Sequence, residues 1–234
     1  MAEPGGTRVA LAATGVANLA SIMAALRRAG TEPFLASSPQ ELVAADFAVL
    51  PGVGSFGSAM TALKAAGMDE AFKHRVARGL PTLGVCAGMQ LFFEGSEESP
   101  GVAGMGILPG FFRRFPADLP VPQLGWNRVV PREPRTGGLL REGWAYFANS
   151  YRLSENPKGF SQRFSQRFSE GFSQGFPEGL STAWSEYGEA FVAAIEGGEG
   201  STLLLCQFHP ELSGPWGLEL LGSWLARDPQ GGAS

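Results

Sequence analysis

The chain has 234 residues, 44% of them hydrophobic, which suits one α/β domain that buries a sizeable core. Its formal net charge is -4 and its sequence pI is about 5.3, which argues against the concentrated basic face that nucleic-acid binding requires. No apolar stretch approaches the ~20 residues that a membrane-spanning helix needs, so no membrane association is expected.

The first part of the chain alternates compact apolar runs with segments of helical periodicity. Strands are predicted at residues 8–13, 46–50 and 81–85, and helices at 18–29, 59–66, 70–78 and 89–93. The run after Arg8 leads at once into a helical pattern, which indicates a first strand and not a signal peptide. Strands separated by helices imply an α/β fold with a mostly parallel sheet covered by helices on both faces.

The second part is richer in glycine, proline and short apolar runs. Strands are predicted at residues 127–130, 144–148, 191–195 and 202–208, and a final helix at 216–226. Taken together, the elements predict one domain over residues 1–234.

One segment, residues 159–180, repeats a phenylalanine at every fourth position. The repeated residues are Phe160, Phe164, Phe168, Phe172 and Phe176. Gly171, Gly175 and Pro177 disfavour a helix there, and a period of four drifts around a helix of 3.6 residues per turn. These features favour a low-complexity loop insertion within the domain. The alternative is an aromatic stripe that docks on a partner.

The strongest chemical signal is Gly-Val-Cys-Ala-Gly at residues 84–88, where a predicted strand turns into a helix. A sharp turn of this kind lifts the side chain of Cys86 above the sheet, and the flanking glycines let the backbone close without a Cβ clash. The amide of Ala87 would then face a developing oxyanion. A small buried cysteine is the plainer alternative, and it fits Cys206, which lies in a continuous apolar run.

A cysteine nucleophile needs a base, and the chain has two histidines. His74 has charged neighbours on a predicted helix, so a surface position is expected. His209 ends an apolar strand and is followed by Pro210 and Glu211, whose carboxylate would orient the imidazole. The alternative is a histidine at a strand end whose ring is hydrogen-bonded but has no catalytic role.

The Pro-Gly-Val-Gly run at residues 51–54 also follows a predicted strand. Its glycines allow backbone amides to face outward as a second oxyanion donor, and a plain strand-to-helix turn explains them equally well. These signals fit acyl transfer from an amide or ester through a thioester, and they do not name the substrate.

The two cysteines are too few for a disulfide framework in a domain of this size. A reducing, cytoplasmic location is therefore expected.

The motifs at residues 84–90, 51–54 and 208–211 together resemble the class I, triad-type glutamine amidotransferases. Further stretches resemble the glutaminase subunits of bacterial imidazole glycerol phosphate synthases, and they lie at residues 91–98, 106–110, 122–127, 147–151 and 187–191. The resemblance covers nearly the whole chain except the phenylalanine repeat. It implies a flavodoxin-like α/β fold with a nucleophile elbow.

The resemblance also implies roles for individual residues: Cys86 as nucleophile, His209 as general base and acid, and Glu211 as its orienting group. It implies oxyanion donors at Gly52, Val53 and Gly54, glutamine contacts at Gln90, Glu98, Ser150 and Tyr151, and partner contacts at Asn18, Trp126 and Asn127. No metal or cofactor is expected. The implied partner is a cyclase subunit, a (β/α)₈ barrel that forms a heterodimer with the glutaminase and receives its ammonia.

Two places depart from the family pattern. The family usually opens with Asp-Tyr-Gly-x-Gly-Asn where this chain has Ala-Thr-Gly-Val-Ala-Asn at residues 13–18, and Leu212 stands where lysine is usual. Both lie, by the resemblance, near the partner. The alternatives are a glutaminase of another synthase, such as that of pyridoxal phosphate, a catalytically idle binding subunit, and a stand-alone cysteine hydrolase.

Overall fold

The computed structural model describes residues 6–12, 19–52, 54–132, 136–153, 180–197 and 202–227. Asn18, Val53 and the repeat at residues 159–179 therefore lie outside the described residues, as does the departure at residues 13–18.

The first half of the described chain is a regular alternation of strands and helices. Its strands are β1 (Arg8–Ala12), β2 (Glu32–Ala36), β3 (Phe47–Leu50) and β4 (Thr82–Val85), and its helices are α1 (Leu19–Arg28), α2 (Pro39–Ala44), α3 (Phe56–Ala65), α4 (Met68–Ala77) and α5 (Ala87–Leu91).

The second half is mostly strand. It comprises β5 (Gly95–Ser96), β6 (Phe111–Arg114), β7 (Gln123–Pro131), β8 (Gly143–Asn149), β9 (Tyr151–Arg152), β10 (Ser181–Tyr187), β11 (Glu189–Glu196) and β12 (Leu203–Cys206), then a 3-10 helix (Pro210–Leu212) and helix α6 (Gly214–Leu225).

Nine of these strands form one sheet in the order β2-β1-β3-β4-β12-β11-β10-β7-β8. The first five are parallel, in the 2-1-3-4-5 order of flavodoxin-like folds, and the remaining pairs are antiparallel. A small second sheet joins β5, β6 and β9. The predicted parallel α/β core is confirmed, and it continues into an antiparallel extension.

The core lies on both faces of the large sheet, because successive residues of each central strand point to opposite sides. On one face the buried side chains of α3 and α4, among them Met60 and Phe72, pack under the sheet. On the other face, helices α1 and α6 bury Leu26 and Trp224. The Trp224 ring meets the Phe47 ring edge to face with centroids 5.0 Å apart. Strands buried on both faces are uniformly apolar, which is why β1, β3 and β4 are predictable from the sequence.

The apolar pattern does not predict β2, α2, β10 or the small sheet. Strand β10 buries Ser181 and Ser185, so its polar composition gives no strand signal. Its position is fixed instead by pairing with β11 and β7. The strand predicted at 202–208 is shorter in the structure and spans Leu203–Cys206.

No helix among the described residues combines the length and apolar character that crossing a membrane would take.

Arg75 on helix α4 is completely buried and holds three segments together. Its guanidinium donates to the carbonyl oxygens of Leu42, Val43, Ala45, Asp46 and Pro81 at distances between 2.7 and 3.1 Å. Burial lowers the pKa of Arg75 to about 10, with Asp46 opposing the shift, so the side chain stays charged at neutral pH. The arginine therefore caps α2 and fixes the entry into β3 and β4.

Replacing Arg75 by alanine should lower the free energy of unfolding by about 3 kcal/mol or more, because it leaves buried carbonyl groups without donors. The measurement is urea denaturation of the purified chain. Lys73→Ala on the same helix is the control, since Lys73 forms only a surface ion pair with Glu70 and should cost less than about 1 kcal/mol. If the free energy of unfolding falls by less than about 1 kcal/mol in both variants, Arg75 is dispensable for stability.

Candidate active site

Cys86 occupies the turn between β4 and α5 in a strained conformation, with φ 52° and ψ -115°. Among the described residues it is the only non-glycine residue with a positive φ. Such a backbone typically costs about 1–3 kcal/mol and persists only where its surroundings enforce it. The amide of Cys86 donates to the Cys206 carbonyl oxygen at 2.7 Å, so β12 holds the turn in place.

The glycines on either side of Cys86 lie against other backbone and core atoms. A Cβ atom on Gly88 would stand 2.0 Å from the carbonyl oxygen of Leu50, and one on Gly84 would stand 2.8 Å from a methyl carbon of Leu205. Close approach of the backbone, the reason predicted for the two glycines, is confirmed at Gly88. At Gly84 the nearest atom belongs to a side chain, and the nearest backbone atom, the Cα of Met89, is 3.1 Å away.

The loop after β3 lies directly against this turn. A Cβ atom on Gly52 would come within 2.2 Å of the Val85 carbonyl oxygen and 2.4 Å of the Ala87 amide nitrogen. Gly54 has φ +72°, a left-handed conformation that favours glycine. The structure thus brings Gly52 and Ala87 together, while Val53 lies outside the described residues. Their role as oxyanion donors stays a prediction.

His209 follows the neighbouring strand β12 and lies beside Cys86. Its Nδ1 is 2.9 Å from Oε1 of Glu211, whose side chain is only 6% exposed. Burial opposes the charged imidazole, but hydrogen bonds and charges from Cys86 and Glu211 outweigh it and raise the pKa of His209 to about 10. Since Nδ1 is engaged by Glu211, Nε2 is the ring nitrogen left for Cys86.

The backbone of His209 is fastened to the edge of the sheet. Its amide donates to the Tyr146 carbonyl oxygen of β8 at 2.9 Å. The buried hydroxyl of Ser213 donates to the His209 carbonyl oxygen at 2.6 Å and accepts from the Tyr146 amide at 2.9 Å. These hydrogen bonds of Ser213 cannot be predicted from the sequence, because a serine after a turn has no distinctive spacing.

Gln90 and Gln207 form a buried chain of amides that reaches Cys86. Nε2 of Gln90 donates to Oε1 of Gln207 at 3.1 Å, and Nε2 of Gln207 lies 3.7 Å from the Cys86 sulfur. The sulfur also lies 3.9 Å from the carbonyl oxygen of Ala148 on β8. Gln90 was expected near the site from the resemblance, whereas Gln207 was not, although it is a polar residue that interrupts an apolar run.

The other predicted glutamine contacts lie around the site without touching Cys86 directly. Ser150 and Tyr151 come just after Ala148, and the Ser150 carbonyl oxygen accepts from the Phe115 amide at 3.1 Å. Glu98 accepts from the amide of Phe56, the first residue of α3, at 2.7 Å. That bond ties Glu98 to the loop that carries Gly54. The roles of these residues in substrate binding stay predictions.

Leu124, Trp126 and Trp144 project together from one face of β7 and β8, and they are 68%, 54% and 58% exposed. We call these three side chains the apolar face. Asn127 lies on the opposite side of β7, and its side-chain amide donates to the Glu186 carbonyl oxygen at 2.6 Å. The three predicted partner contacts therefore differ in position. Trp126 is exposed on the apolar face, whereas the side chain of Asn127 is hydrogen-bonded within the chain. Asn18 lies outside the described residues.

His74 and Cys206 are the two residues that could have competed for the catalytic roles. His74 is exposed on α4, as predicted. Cys206 is fully buried, and burial raises the pKa of its thiol, with the Glu211 carboxylate acting in the same direction. Cys206 therefore stays a neutral core side chain, and both cysteines are free.

Comparison with known proteins places the chain in one family. Residues 19–225 match the family model described as glutamine amidotransferase class-I. The chain is 36% identical over 219 residues to the imidazole glycerol phosphate synthase subunit HisH of Symbiobacterium thermophilum, covering 93% of this chain and 92% of that protein. The HisH subunit of Moorella thermoacetica is 38% identical over 217 residues, with 91% of each chain covered.

A solved glutamine amidotransferase structure has the same fold, with a TM-score of 0.66 at 18% identity, over 93% of this chain and 98% of that one. The match spans nearly all of each protein, so the likeness concerns the whole domain and not a shared motif. The chain belongs to the class-I glutamine amidotransferase family and, within it, to the imidazole glycerol phosphate synthase subunits named HisH.

Proposed function

We propose that the chain hydrolyses glutamine to glutamate and ammonia through a thioester on Cys86 and passes the ammonia to a cyclase subunit of imidazole glycerol phosphate synthase. The observation that carries this proposal is the convergence of Cys86, His209 and Glu211 at the carboxyl ends of two adjacent strands. Membership of the HisH group supports the choice of glutamine as substrate and of histidine biosynthesis as the pathway.

In the first half-reaction, the sulfur of Cys86 attacks the side-chain carbonyl carbon of glutamine. The carbonyl oxygen becomes an oxyanion beside Gly52 and the Ala87 amide, where backbone donors stabilise it. The carbon–nitrogen bond then breaks, and His209 gives its proton to the leaving nitrogen, which departs as ammonia. With its pKa raised to about 10, His209 holds that proton at neutral pH.

In the second half-reaction, water attacks the thioester carbon, and His209 accepts a proton from it. The carbon–sulfur bond breaks, glutamate leaves, and the proton taken from water restores the cysteine–histidine pair. Glu211 keeps Nδ1 engaged throughout, so Nε2 faces the reacting atoms in both halves.

The partner is a cyclase subunit with a (β/α)₈ barrel, which forms a heterodimer with this chain. It converts its own substrate and the ammonia into imidazole glycerol phosphate and an aminoimidazole carboxamide ribotide. The exposed apolar face supports a docking surface beside the active site, because large exposed apolar patches mark interaction sites. Two free, buried cysteines agree with a cytoplasmic location.

Replacing Cys86 by alanine should abolish glutamine hydrolysis, while the complex with the cyclase subunit still forms product from added ammonia. Steady-state assays with glutamine and with ammonium salts measure the two activities separately. Cys206→Ala is the matched control and should keep the glutamine-dependent rate, since Cys206 contributes only its backbone carbonyl to the site. A Cys86→Ala variant that still hydrolyses glutamine would exclude the thioester route.

Replacing Glu211 by glutamine should lower the pKa of His209 from about 10, because it removes a negative charge that favours the protonated ring. Loss of such a partner typically moves a pKa by about 1–3 pH units. The chain has only two histidines, so the ring resonances can be followed by NMR as the pH is raised. The exposed His74 provides the internal reference, and a shift of both residues by the same amount would contradict the assignment.

We also propose that residues 159–180 are a loop insertion within a single domain of residues 1–234. The residues that flank the segment support this. The Leu153 carbonyl oxygen accepts from the Val192 amide at 2.9 Å, and Leu180 packs against the same core cluster as Leu153. Leu153 and Leu180, the described residues on either side of positions 154–179, are thus both held by the domain.

Deleting residues 159–179 should leave the free energy of unfolding within about 1 kcal/mol of the parent, since loop closure entropy changes by only ~0.6 kcal/mol per doubling of length. Glutaminase activity in the complex should also be retained. Denaturation, activity assays and titration with the cyclase subunit check these expectations. A tenfold weaker complex, equivalent to ~1.4 kcal/mol, would instead identify the repeat as a binding element.

A further inference from the structure

Gln207 is a completely buried polar residue at the active site for which the thioester mechanism above has no role. The register that pairs Val85 with Cys206 places the next residues of the two strands, Cys86 and Gln207, side by side. Gln207 thus follows β12 as Cys86 follows β4. The backbone amide of Gln207 donates to the Ala193 carbonyl oxygen at 2.8 Å, which fixes its main chain against a third strand, β11.

A glutamine in this position is costly unless both ends of its amide are bonded. Its neighbours Cys206 and Phe208 are also fully buried, and an apolar side chain of similar size would fill the space without a polar group to satisfy. Among the described residues, the side-chain amide has its partners in Gln90 and in the Cys86 sulfur. The hydrogen bonds to Gln90 and to the Cys86 sulfur therefore explain why the site carries an amide side chain at position 207.

The amide of Gln207 presents its nitrogen to the sulfur. Its Oε1 accepts a hydrogen bond from Nε2 of Gln90, and its Nε2 lies toward Cys86. The Ala148 carbonyl oxygen, 3.9 Å from the sulfur, can accept a hydrogen bond only from a protonated thiol. The imidazole of His209, which is hydrogen-bonded to Glu211, is the ionisable side chain that interacts with the sulfur.

We propose that Gln207 is a further active-site residue, which donates its side-chain N–H to the anionic sulfur of Cys86 and orients the side chain of Gln90. The inference rests on the proposed function for its catalytic meaning. A donor close to the sulfur favours the anion, because hydrogen bonds to charged groups are stronger than those to neutral ones. When the thioester forms, the sulfur loses its charge and this hydrogen bond weakens. Gln207 therefore stabilises the anionic sulfur before it attacks the substrate.

The same contact makes Gln90 depend on Gln207. Both side chains are buried, with Gln90 only 4% exposed, and the bond between them fixes the terminal amide of Gln90. If Gln90 contacts the substrate, as proposed, removal of Gln207 affects both nucleophile reactivity and glutamine binding.

The test is the rate of alkylation of Cys86 by iodoacetamide as a function of pH in the folded full-length chain, followed by mass spectrometry. Gln207→Met should slow alkylation at neutral pH by about tenfold and move its pH profile to higher pH, as loss of one hydrogen bond to a charged group implies. Gln207→Leu also lacks the N–H group and carries no charge, so it should behave alike and serves if the methionine variant does not fold. Buried Cys206 should remain unmodified, which reports an intact fold.

Thr202→Val is the matched control. Thr202 is buried at the other end of β12, where its hydroxyl donates to the Gly79 carbonyl oxygen at 2.8 Å. It should reduce thermal stability without changing the alkylation profile. An unchanged profile in both Gln207 variants, with only a stability loss like that of Thr202→Val, would overturn the inference and leave Gln207 as a packing residue.

This measurement needs neither glutamine nor a partner, so its outcome is independent of the proposed function. In the complex with the cyclase subunit, Gln207→Met should both lower kcat and raise KM for glutamine. A shifted alkylation profile with no glutamine hydrolysis by the wild-type complex would refute the proposed function while leaving the Gln207–Cys86 contact intact.

Discussion

The backbone of Cys86 can hold its strained conformation only because its surroundings leave the chain no alternative. Gly88 packs on the Leu50 carbonyl group and Gly52 packs on the backbone at Val85, so a side chain at either glycine would push the turn open. The amide of Cys86 is bonded to β12. The strain is thus a product of how tightly β3, β4 and β12 lie together at their carboxyl ends. The other parts of the site are positioned by this junction. It places the Cys86 sulfur above the sheet, Gly52 beside it, and the imidazole of His209 at the end of the neighbouring strand.

Strand β8 connects the active site to the surface. Its Tyr146 backbone is bonded to His209 and Ser213, and its Ala148 carbonyl group lies against the Cys86 sulfur. The same strand carries Trp144 on the exposed apolar face. A protein bound to that face would contact the element that holds both the nucleophile and its base. Strand β8 is thus the described element that borders both the active site and the exposed apolar face.

Sequence alone was sufficient where local geometry decides the structure. Glycines two residues on either side of Cys86 predict the turn, and proline and glutamate after His209 predict a held imidazole, because both signals lie within a few consecutive residues. Gln207 and Ser213 were missed for the opposite reason. Their partners, Cys86 and Tyr146, are distant along the chain and become neighbours only through strand register and the packing of the turn on the sheet edge. Strand β10 was missed because its buried serines hide the alternation of apolar residues.

The anchoring of Leu153 and Leu180 in one core cluster has a consequence for how this chain can change over generations. Between them the amino-acid sequence repeats a four-residue unit that carries phenylalanine. The gain or loss of one such unit changes the length of chain between two anchored residues, and loop closure entropy changes only with the logarithm of that length. We therefore expect the core around Leu153 and Leu180 to accept repeats of different length.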